Sequence, residues 1–271
     1  MSHATLRALD SVADRIKQHR QADPRGILVV EGDSDRRLLS RVFPERWVVF
    51  IAGTRDSVPT VIERLQALEL RRFAGLVDRD FDSLVSTVEA SGLPVFSYQE
   101  ADLEAALIIG PWFELFLPEY ASAEKVTNAG GADSVRQKIV NIASVVGAAR
   151  RANAINSWGV DFDKLNFSRK LREKDLSFEH ESFSQAVVGR VGSKDPDAVL
   201  AELRACASAP GARNGFRGKD ALEVLRKGLK RVYGSRTIEH YEDLAGALRL
   251  SANSRLEEVS PFPAIFRQLS Q

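Results

Sequence analysis

The apolar and polar positions of the first hundred residues form two alternating kinds of segment. Short apolar runs occupy residues 27–30, 47–51, 73–78 and 95–98. Such runs predict strands, and their lack of polar alternation predicts that the first and third are buried on both faces. Between them, apolar residues recur at helical spacing, for example across residues 57–70. Strands that alternate with helices predict an α/β fold, in which helices flank a mostly parallel sheet.

After residue 118 the pattern becomes mainly helical. The predicted helices cover residues 133–153, 183–188, 197–207, 218–233, 239–248 and 257–268. The sequence therefore predicts an α/β domain with an N-terminal helix at residues 1–118 and a mainly helical, basic region at residues 119–271. The segment at 118–132 is the predicted boundary, although it could instead be a loop within one continuous fold.

The composition is that of a globular protein, with 44% hydrophobic and 28% charged residues. Its apolar runs are far shorter than the roughly 20 residues that span a bilayer, and the N-terminus lacks the apolar segment of a signal peptide. The single cysteine, Cys206, excludes an intrachain disulfide. We therefore expect a cytoplasmic protein that does not insert into a membrane.

The formal net charge of +1 is unevenly distributed along the chain. Residues 1–120 sum to −5 and the following residues sum to +6. The acidic first part is suited to binding cations, and the basic second part is suited to a polyanion. Ordinary variation between domains can also produce an imbalance of this size.

Carboxylates follow two of the predicted strands and begin a later helix. They are Glu31, Asp33, Asp35, Asp78, Asp80, Asp82 and Glu104. Because the carboxyl ends of parallel strands open on one crevice, we expect these side chains to converge there, except Asp33, which is typical of a helix cap. Asp78 and Asp80 alternate along an extended strand end, so both can face one ion. The pattern predicts a site for Mg²⁺ or Mn²⁺, of the kind used in phosphoryl displacement.

A strand that ends in Glu31-Gly32, followed by a strand that ends in Asp78-Arg79-Asp80, resembles the Toprim domain of topoisomerases, primases and OLD-family nucleases. The longer pattern reads Val-Glu-Gly-Asp-Ser-Asp-Arg, then Val-Asp-Arg-Asp-Phe-Asp, then Asp-Leu-Glu. In this form it is similar to the stand-alone AriB-like Toprim effectors of PARIS anti-phage systems. The similarity covers residues 26–110, and Gly-Lys-Asp-Ala-Leu at residues 218–222 fits a late motif of that family.

The resemblance implies a role for each carboxylate. Glu31 would be a metal ligand or general base, and Asp78 and Asp80 would be the paired metal aspartates. Glu104 would match the additional acidic residue that OLD-type nucleases carry after the sheet. Two further candidates, as metal ligands, supporting residues or helix caps, are Asp35 and Asp82.

The resemblance also implies an activity and partners. The activity would be endonucleolytic hydrolysis of phosphodiester bonds that depends on Mg²⁺ or Mn²⁺. The substrate would be nucleic acid, either RNA or DNA, with tRNA implicated in the family. The partner would be an ABC-type ATPase sensor that releases a conditional toxin in phage defence, and the active form would be a homodimer.

A basic stretch at residues 213–236 contains eight Lys and Arg residues. On the nuclease hypothesis it binds the phosphate backbone of the substrate. The residues predicted to do so are Arg217, Lys219, Lys227, Lys230 and Arg231. The alternative is a solvated helix face. The aromatic and apolar residues 112–117 are predicted to form an exposed patch that docks the ATPase.

Two other functions stay open at this point. A catalytically silent Toprim module could bind the ATPase, and a metal-dependent phosphohydrolase could use the same carboxylates on a small substrate. A haloacid-dehalogenase-like phosphatase fits less well, because its Asp-x-Asp does not usually follow the third strand. A receiver domain needs a strand-end lysine, and none lies between Lys17 and Lys125. There is also no Walker phosphate loop.

Overall fold

The computed structural model describes residues 11–81, 83–208, 215–234, 238–252 and 256–271. The chain divides into two compact units. Unit 1 comprises Met1–Arg79, Ser83–Gln99 and Asn253–Gln271, and unit 2 comprises Asp80–Asp82 and Glu100–Ala252. The boundary predicted at residues 118 and 119 thus falls inside unit 2, and the last residues of the chain belong to unit 1.

The sheet of unit 1 is parallel throughout, with the strand order β2-β1-β3-β4. Its strands are β1 (Gly26–Val30), β2 (Trp47–Ile51), β3 (Phe73–Val77) and β4 (Val95–Ser97). Ile27 pairs with Val48 of β2 and with Phe73 of β3, and Val30 pairs with Leu76. These strands coincide with the four predicted apolar runs, so the predicted α/β fold is confirmed.

Helices account for most of the remaining described chain. In order they are α1 (Val12–His19), α2 (Asp33–Val42), α3 (Ser57–Ala67), α4 (Leu84–Ser91), α5 (Leu103–Ile109), α6 (Trp112–Phe116), α7 (Ala123–Asn128), α8 (Ala132–Asn156), α9 (Phe162–Leu165), α10 (His180–Val191), α11 (Pro196–Ser208), α12 (Gly218–Gly228), α13 (Tyr241–Ser251) and α14 (Phe262–Ser270). Short 3₁₀ turns lie at Leu117–Glu119, Phe167–Lys170 and Leu256–Glu258, and Leu229–Tyr233 is a π-helical turn. None of the helices in the described ranges has the length and hydropathy to cross a bilayer.

The two central strands of unit 1 form its core. Every residue of β1 and β3 is buried, as the uninterrupted apolar runs predict. Ile27 and Val29 project to one face and pack in a cluster with Ala13 of α1 and with Val58 and Ile62 of α3. Helix α14 also packs against β1 and β3. Helical cover of this kind explains why a central strand has no polar face.

The C-terminal helix α14 is an integral part of unit 1. Phe266 stacks on Trp47 with ring centroids 5.0 Å apart. The Arg72 Nε donates a hydrogen bond of 2.9 Å to the carbonyl oxygen of Leu269. A Cβ at Gly26 would lie 3.1 Å from the Leu269 Cβ, so the first residue of β1 packs tightly against α14. The sheet therefore depends on residues from the far end of the chain.

Unit 2 is built around the long helix α8, which packs against α11 and α12. The segment at residues 112–117 is buried in this unit, and the prediction that it forms an exposed docking patch is wrong. Its buried members are Trp112, Phe113, Phe116 and Leu117. Leu115, by contrast, is 64% exposed. Short amphipathic helices hide aromatic side chains that look exposed in a polar sequence context.

Candidate active site

Glu31 and Asp78 lie together at the carboxyl end of the sheet. Each residue directly follows a central strand, β1 or β3, and the last pair that joins these two strands is Val30 with Leu76. The backbone N–H of Asp78 donates a hydrogen bond of 2.6 Å to Oε1 of Glu31. Parallel pairing thus brings together two acidic residues that are 47 positions apart in the sequence. The ends of the two central strands are therefore in contact through the Glu31 side chain and the Asp78 backbone.

The chain beyond β3 is held by Arg55, a residue that the sequence analysis did not identify. Its Nε donates to the carbonyl oxygen of Asp78 at 2.7 Å, and its Nη2 donates to the carbonyl oxygen of Arg79 at 2.8 Å. Arg55 lies in the turn between β2 and α3, just after Gly53, whose φ of +100° suits glycine. The sequence did contain a sign of this role, because Arg55 is a basic residue that follows the end of β2, the strand next to β1.

The guanidinium of Arg79 is directed at β4. Its Nε donates to the carbonyl oxygen of Tyr98 at 2.9 Å, and its Nη2 donates to Oγ of Ser97 at 3.0 Å. Its ion pair with Glu89 is long, at 3.8 Å. These contacts join the end of β3 to the end of β4.

Asp35 and Asp33 occupy different environments in the first turn of α2. Asp35 is buried, and its Oδ1 accepts a hydrogen bond of 3.2 Å from the Tyr98 hydroxyl. Asp33 is partly exposed, and hydrogen bonds from Arg36 and then Arg37 lower the pKa of its carboxyl group. The helix N-cap is Gly32, without a side-chain hydrogen bond, so Asp33 is not the cap that the sequence predicts.

Asp80, which belongs to unit 2, has a left-handed backbone with φ of +45°. Its N–H donates to the carbonyl oxygen of Ala101 at 3.0 Å. The prediction that Asp80 continues an extended strand end in alternation with Asp78 is therefore wrong. A left-handed conformation costs a non-glycine residue about 1–2 kcal/mol, and aspartate tolerates it better than most residues. Asp82 lies outside the described residues.

Glu104 forms an ion pair inside unit 2. It is buried in the first turn of α5, and its Oε1 contacts Nη1 of Arg249 on α13. Because a buried carboxylate needs a partner, Arg249 accounts for the burial of Glu104 by itself. A metal ion would have to bind through the other oxygen, Oε2.

Asp102 is a second residue that the sequence analysis missed, and it connects α5 to α12. Its carboxylate caps α5 by accepting the Ala105 N–H at 2.8 Å. It also accepts the N–H of Gly218 with both oxygens, at 3.0 and 2.9 Å. Burial, followed by the nearby charge of Glu104, raises the pKa of Asp102 from 3.8 to about 8. The sequence did contain a sign of the capping role, because an aspartate that stands three residues before a residue of the first helical turn is typical of an N-cap.

A Cβ at Gly218 would meet Glu104 Cβ at 2.3 Å and Asp102 Oδ1 at 2.6 Å. This position therefore requires glycine for steric reasons, which explains the glycine of the Gly-Lys-Asp segment at the start of α12. The close approach brings the beginning of the basic stretch against the helix that contains Glu104.

The five predicted nucleic-acid-binding residues do not share one environment. Lys219, Lys230 and Arg231 are exposed, whereas Arg217 and Lys227 are half-buried. Arg231 is paired with Glu173 at 3.2 Å. Two further basic residues of the same stretch, Arg213 and Arg236, lie outside the described residues.

Oxygen ligands of the type that divalent cations prefer follow both central strands of unit 1, at Glu31 and Asp78. In the part of the chain that the structure describes, no three His, Cys, Asp or Glu side chains are grouped closely enough to hold a metal ion. Mg²⁺ usually retains several waters and takes only one or two protein carboxylates, so the chemistry of these two residues is compatible with such an ion. The sequence matches no protein-family model, and no curated protein is similar to it.

Proposed function

We propose that this protein is a Toprim-type endonuclease that hydrolyses phosphodiester bonds of nucleic acid with Mg²⁺ or Mn²⁺. The observation that carries the proposal is the contact between Glu31 and the backbone of Asp78 at the ends of neighbouring parallel strands. Ligand sites of open α/β sheets form at this edge, and carboxylates are the ligands that hard divalent cations prefer. The resemblance of the three acidic segments to Toprim nucleases supports the same activity.

Glu31 and Asp78 are the proposed principal metal ligands. By resemblance to the Toprim nucleases alone, Asp80 and Glu104 are the further residues proposed for a metal-binding role. Asp35 is held in the first turn of α2 by the Tyr98 hydroxyl. When bound, the cation would stabilise charge on the phosphoryl oxygens and make the attacking water more acidic. The alternative role for Glu31 is that of general base, in which its carboxylate accepts the proton of that water in place of binding the cation.

Arg55 has a positioning role in this proposal. Through its two hydrogen bonds it fixes the carbonyl groups of Asp78 and Arg79. The orientation of Asp78 is set by this segment, and misplacement of a reacting group by about 1 Å can cost about 100-fold in rate. Arg55 also adds positive charge beside the carboxylates, which favours the approach of a phosphate.

The test is cleavage of tRNA, single-stranded DNA and duplex DNA in Mg²⁺ or Mn²⁺. Glu31→Gln and Asp78→Asn are expected to lower the rate by about 10²- to 10⁴-fold, because each loses a charge that acts on the reacting groups. Asp33→Asn is the matched control in the same acidic segment, since Asp33 is partly exposed and bound to Arg36 and Arg37. It is expected to cleave normally. Full activity of Glu31→Gln in metal-replete buffer would falsify the proposal.

A catalytically silent module that binds an ATPase is the second candidate. It is favoured by the Glu104–Arg249 ion pair, because an arginine can neutralise a carboxylate that has lost its metal. Calorimetry that detects no Mn²⁺ binding, together with co-purification of an ABC-type ATPase, would select this candidate.

The biological setting follows from the resemblance alone. We propose a cytoplasmic effector of anti-phage defence that an ABC-type ATPase sensor holds and releases, and that is active as a homodimer. Residues 112–117 are excluded as the main docking surface because four of the six are buried. Size-exclusion chromatography of the chain with and without the ATPase tests both parts of this setting.

A further inference from the structure

Unit 2 contains a cavity of about 420 Å³ with aromatic walls and a basic rim. Phe162 and Phe167 are buried in its walls, and the half-buried Tyr241 at the start of α13 closes one side. Arg217 and Lys219, at the beginning of α12, lie at the rim. The volume is within the range of about 300–1,000 Å³ that is typical of small-ligand sites. Aromatic surface next to cations suits a flat base attached to a phosphate.

A second cavity of about 420 Å³ shares part of this lining. The residues common to both cavities are Arg150, Phe162, Asp163 and Arg217. The second cavity also includes Asp80 and Phe81. Arg217 is therefore adjacent both to the aromatic cavity and to the cavity that contains a proposed metal ligand.

The charges of the lining favour binding of a phosphate at the rim. Arg150 is occupied, because its Nε and Nη2 bind both carboxylate oxygens of Asp220 at 2.8 and 2.9 Å. Its guanidinium also lies over the Phe162 ring, 4.7 Å from the centroid, so it holds that wall in place. Within the described ranges, neither Arg217 nor Lys219 forms an ion pair. These two cations are available to an anionic ligand.

The remaining polar groups of the lining are suited to the edge of a base. Asn166 and Asp163 are exposed at the cavity, and the Asn166 Oδ1 accepts a hydrogen bond of 3.0 Å from the Ser168 hydroxyl. Glu223 is neutralised by Arg226 at 2.6 Å. The first N–H of α12, on Gly218, is bound by Asp102, so a phosphate at the rim would depend on side chains and not on the helix terminus.

We propose that this cavity binds an unpaired nucleotide, with its base between the aromatic walls and its phosphate at Arg217 and Lys219. The proposal rests on the proposed nuclease function only in that it names the substrate class: single-stranded or looped nucleic acid. A base in a duplex is stacked and has its edge occupied by its partner, so it must be unstacked before it can enter. Unpaired bases need no such step, and their stacking on aromatic side chains tolerates any sequence.

The experiment measures equilibrium binding without cleavage. Fluorescein-labelled 12-mers of single-stranded RNA, single-stranded DNA and the matching duplex DNA are titrated with the full chain in EDTA, and fluorescence anisotropy is recorded. Tyr241→Ala is expected to weaken binding of single strands by about 5- to 100-fold, and Tyr241→Phe, which keeps the ring, by less than about 2-fold. Duplex DNA is expected to bind more weakly and to be unaffected by either substitution. Comparison of the affinities for single-stranded RNA and single-stranded DNA shows whether the site prefers ribose or deoxyribose.

The rim is tested by a matched pair of lysines. Lys219→Gln is expected to weaken binding of single strands, whereas Lys194→Gln, which removes an exposed lysine outside the cavity lining, is expected to have a smaller effect. Unchanged melting temperatures confirm folding of each variant. Wild-type affinity of Tyr241→Ala, equal effects on duplex and single strands, or no binding of any oligonucleotide would overturn the proposal.

These results separate the cavity from the nuclease function. Binding that depends on Tyr241 in a protein that never cleaves would leave the cavity assignment in place and remove the endonuclease. Cleavage that depends on Asp78 but not on Tyr241 would do the opposite.

Discussion

The acidic residues of two regions differ in how deeply their ion pairs are buried. At the start of α2 in unit 1, the Asp33 side chain is 41% exposed, and its partners Arg36 and Arg37 are exposed as well. In unit 2, Glu104 and Asp220 are buried against the guanidinium groups of Arg249 and Arg150. Solvent screens an exposed ion pair, whereas breaking a buried one leaves a charge without a partner away from water. The comparison teaches that acidic residues that look alike in a sequence contribute differently to stability, and that burial distinguishes them.

The largest expected effect concerns Asp102, the buried carboxylate of unit 2. Its pKa is about 8 in the folded protein and 3.8 ordinarily, so the folded state retains a proton that the unfolded state releases. Stability is therefore expected to fall as the pH rises from about 4 to about 8 and to level off above that. Asp102→Asn has no such proton, and its free energy of unfolding, from urea titrations at several pH values, should fall less over this window.

Asp33→Asn provides the contrasting control in unit 1. Since Arg36 and Arg37 lower the pKa of Asp33, its contribution to stability is present at neutral pH and is lost only as the pH falls below about 4. It should leave the decline between pH 4 and 8 unchanged. The same decline in Asp102→Asn as in the wild type would show that Asp102 is ionised when folded.

The next effect is the removal of a buried cation from unit 2. Arg150 and Asp220 have side chains that are only 13% and 6% exposed, and Arg150→Ala leaves Asp220 without its charged partner. We expect a loss of about 3–5 kcal/mol in the free energy of unfolding. Urea denaturation followed by circular dichroism measures it.

Arg231→Ala is the matched arginine control for this measurement. Its partner is Glu173, and these side chains are 48% and 60% exposed, so the pair is screened by solvent. The expected loss is below about 1 kcal/mol. Equal losses in the two variants would contradict the distinction between buried and exposed pairs.

The smallest effect is stabilisation of unit 1 by metal. If Glu31 and Asp78 bind Mn²⁺ in the folded state only, a concentration of 100 times Kd adds about 2.7 kcal/mol to stability. Differential scanning fluorimetry should show a rise in Tm for the wild type and for Asp33→Asn, and little or no rise for Glu31→Gln. A rise of the same size in Glu31→Gln would place the metal elsewhere.

Local patterns were sufficient for the sheet and for one contact of the candidate site. Each strand is an apolar run bounded by polar residues, and its position along the chain is a local property. Because strands β1 and β3 are adjacent and parallel, the residues that follow them, Glu31 and Asp78, had to lie near each other. The order of acidic residues along the chain was therefore enough to predict this pair.

Contacts between distant segments could not be predicted in this way. The roles of Arg55 and Asp102 depend on carbonyl and N–H groups that are 23 and 116 residues away. The left-handed backbone of Asp80 is another such feature, since most sequence patterns imply an extended chain after a strand. Tertiary context, and not local preference, determines each of them.

The sequence by itself determined the α/β class, the positions of the four strands and the placement of Glu31 and Asp78 at strand ends, because these follow from periodicity and chain direction. Only the tertiary structure decided that α14 returns to the sheet and that residues 112–117 are buried. It also decided that Glu104 is paired with Arg249. The physical reason is that burial and charge neutralisation depend on which distant residues become neighbours, and a linear pattern does not contain that information.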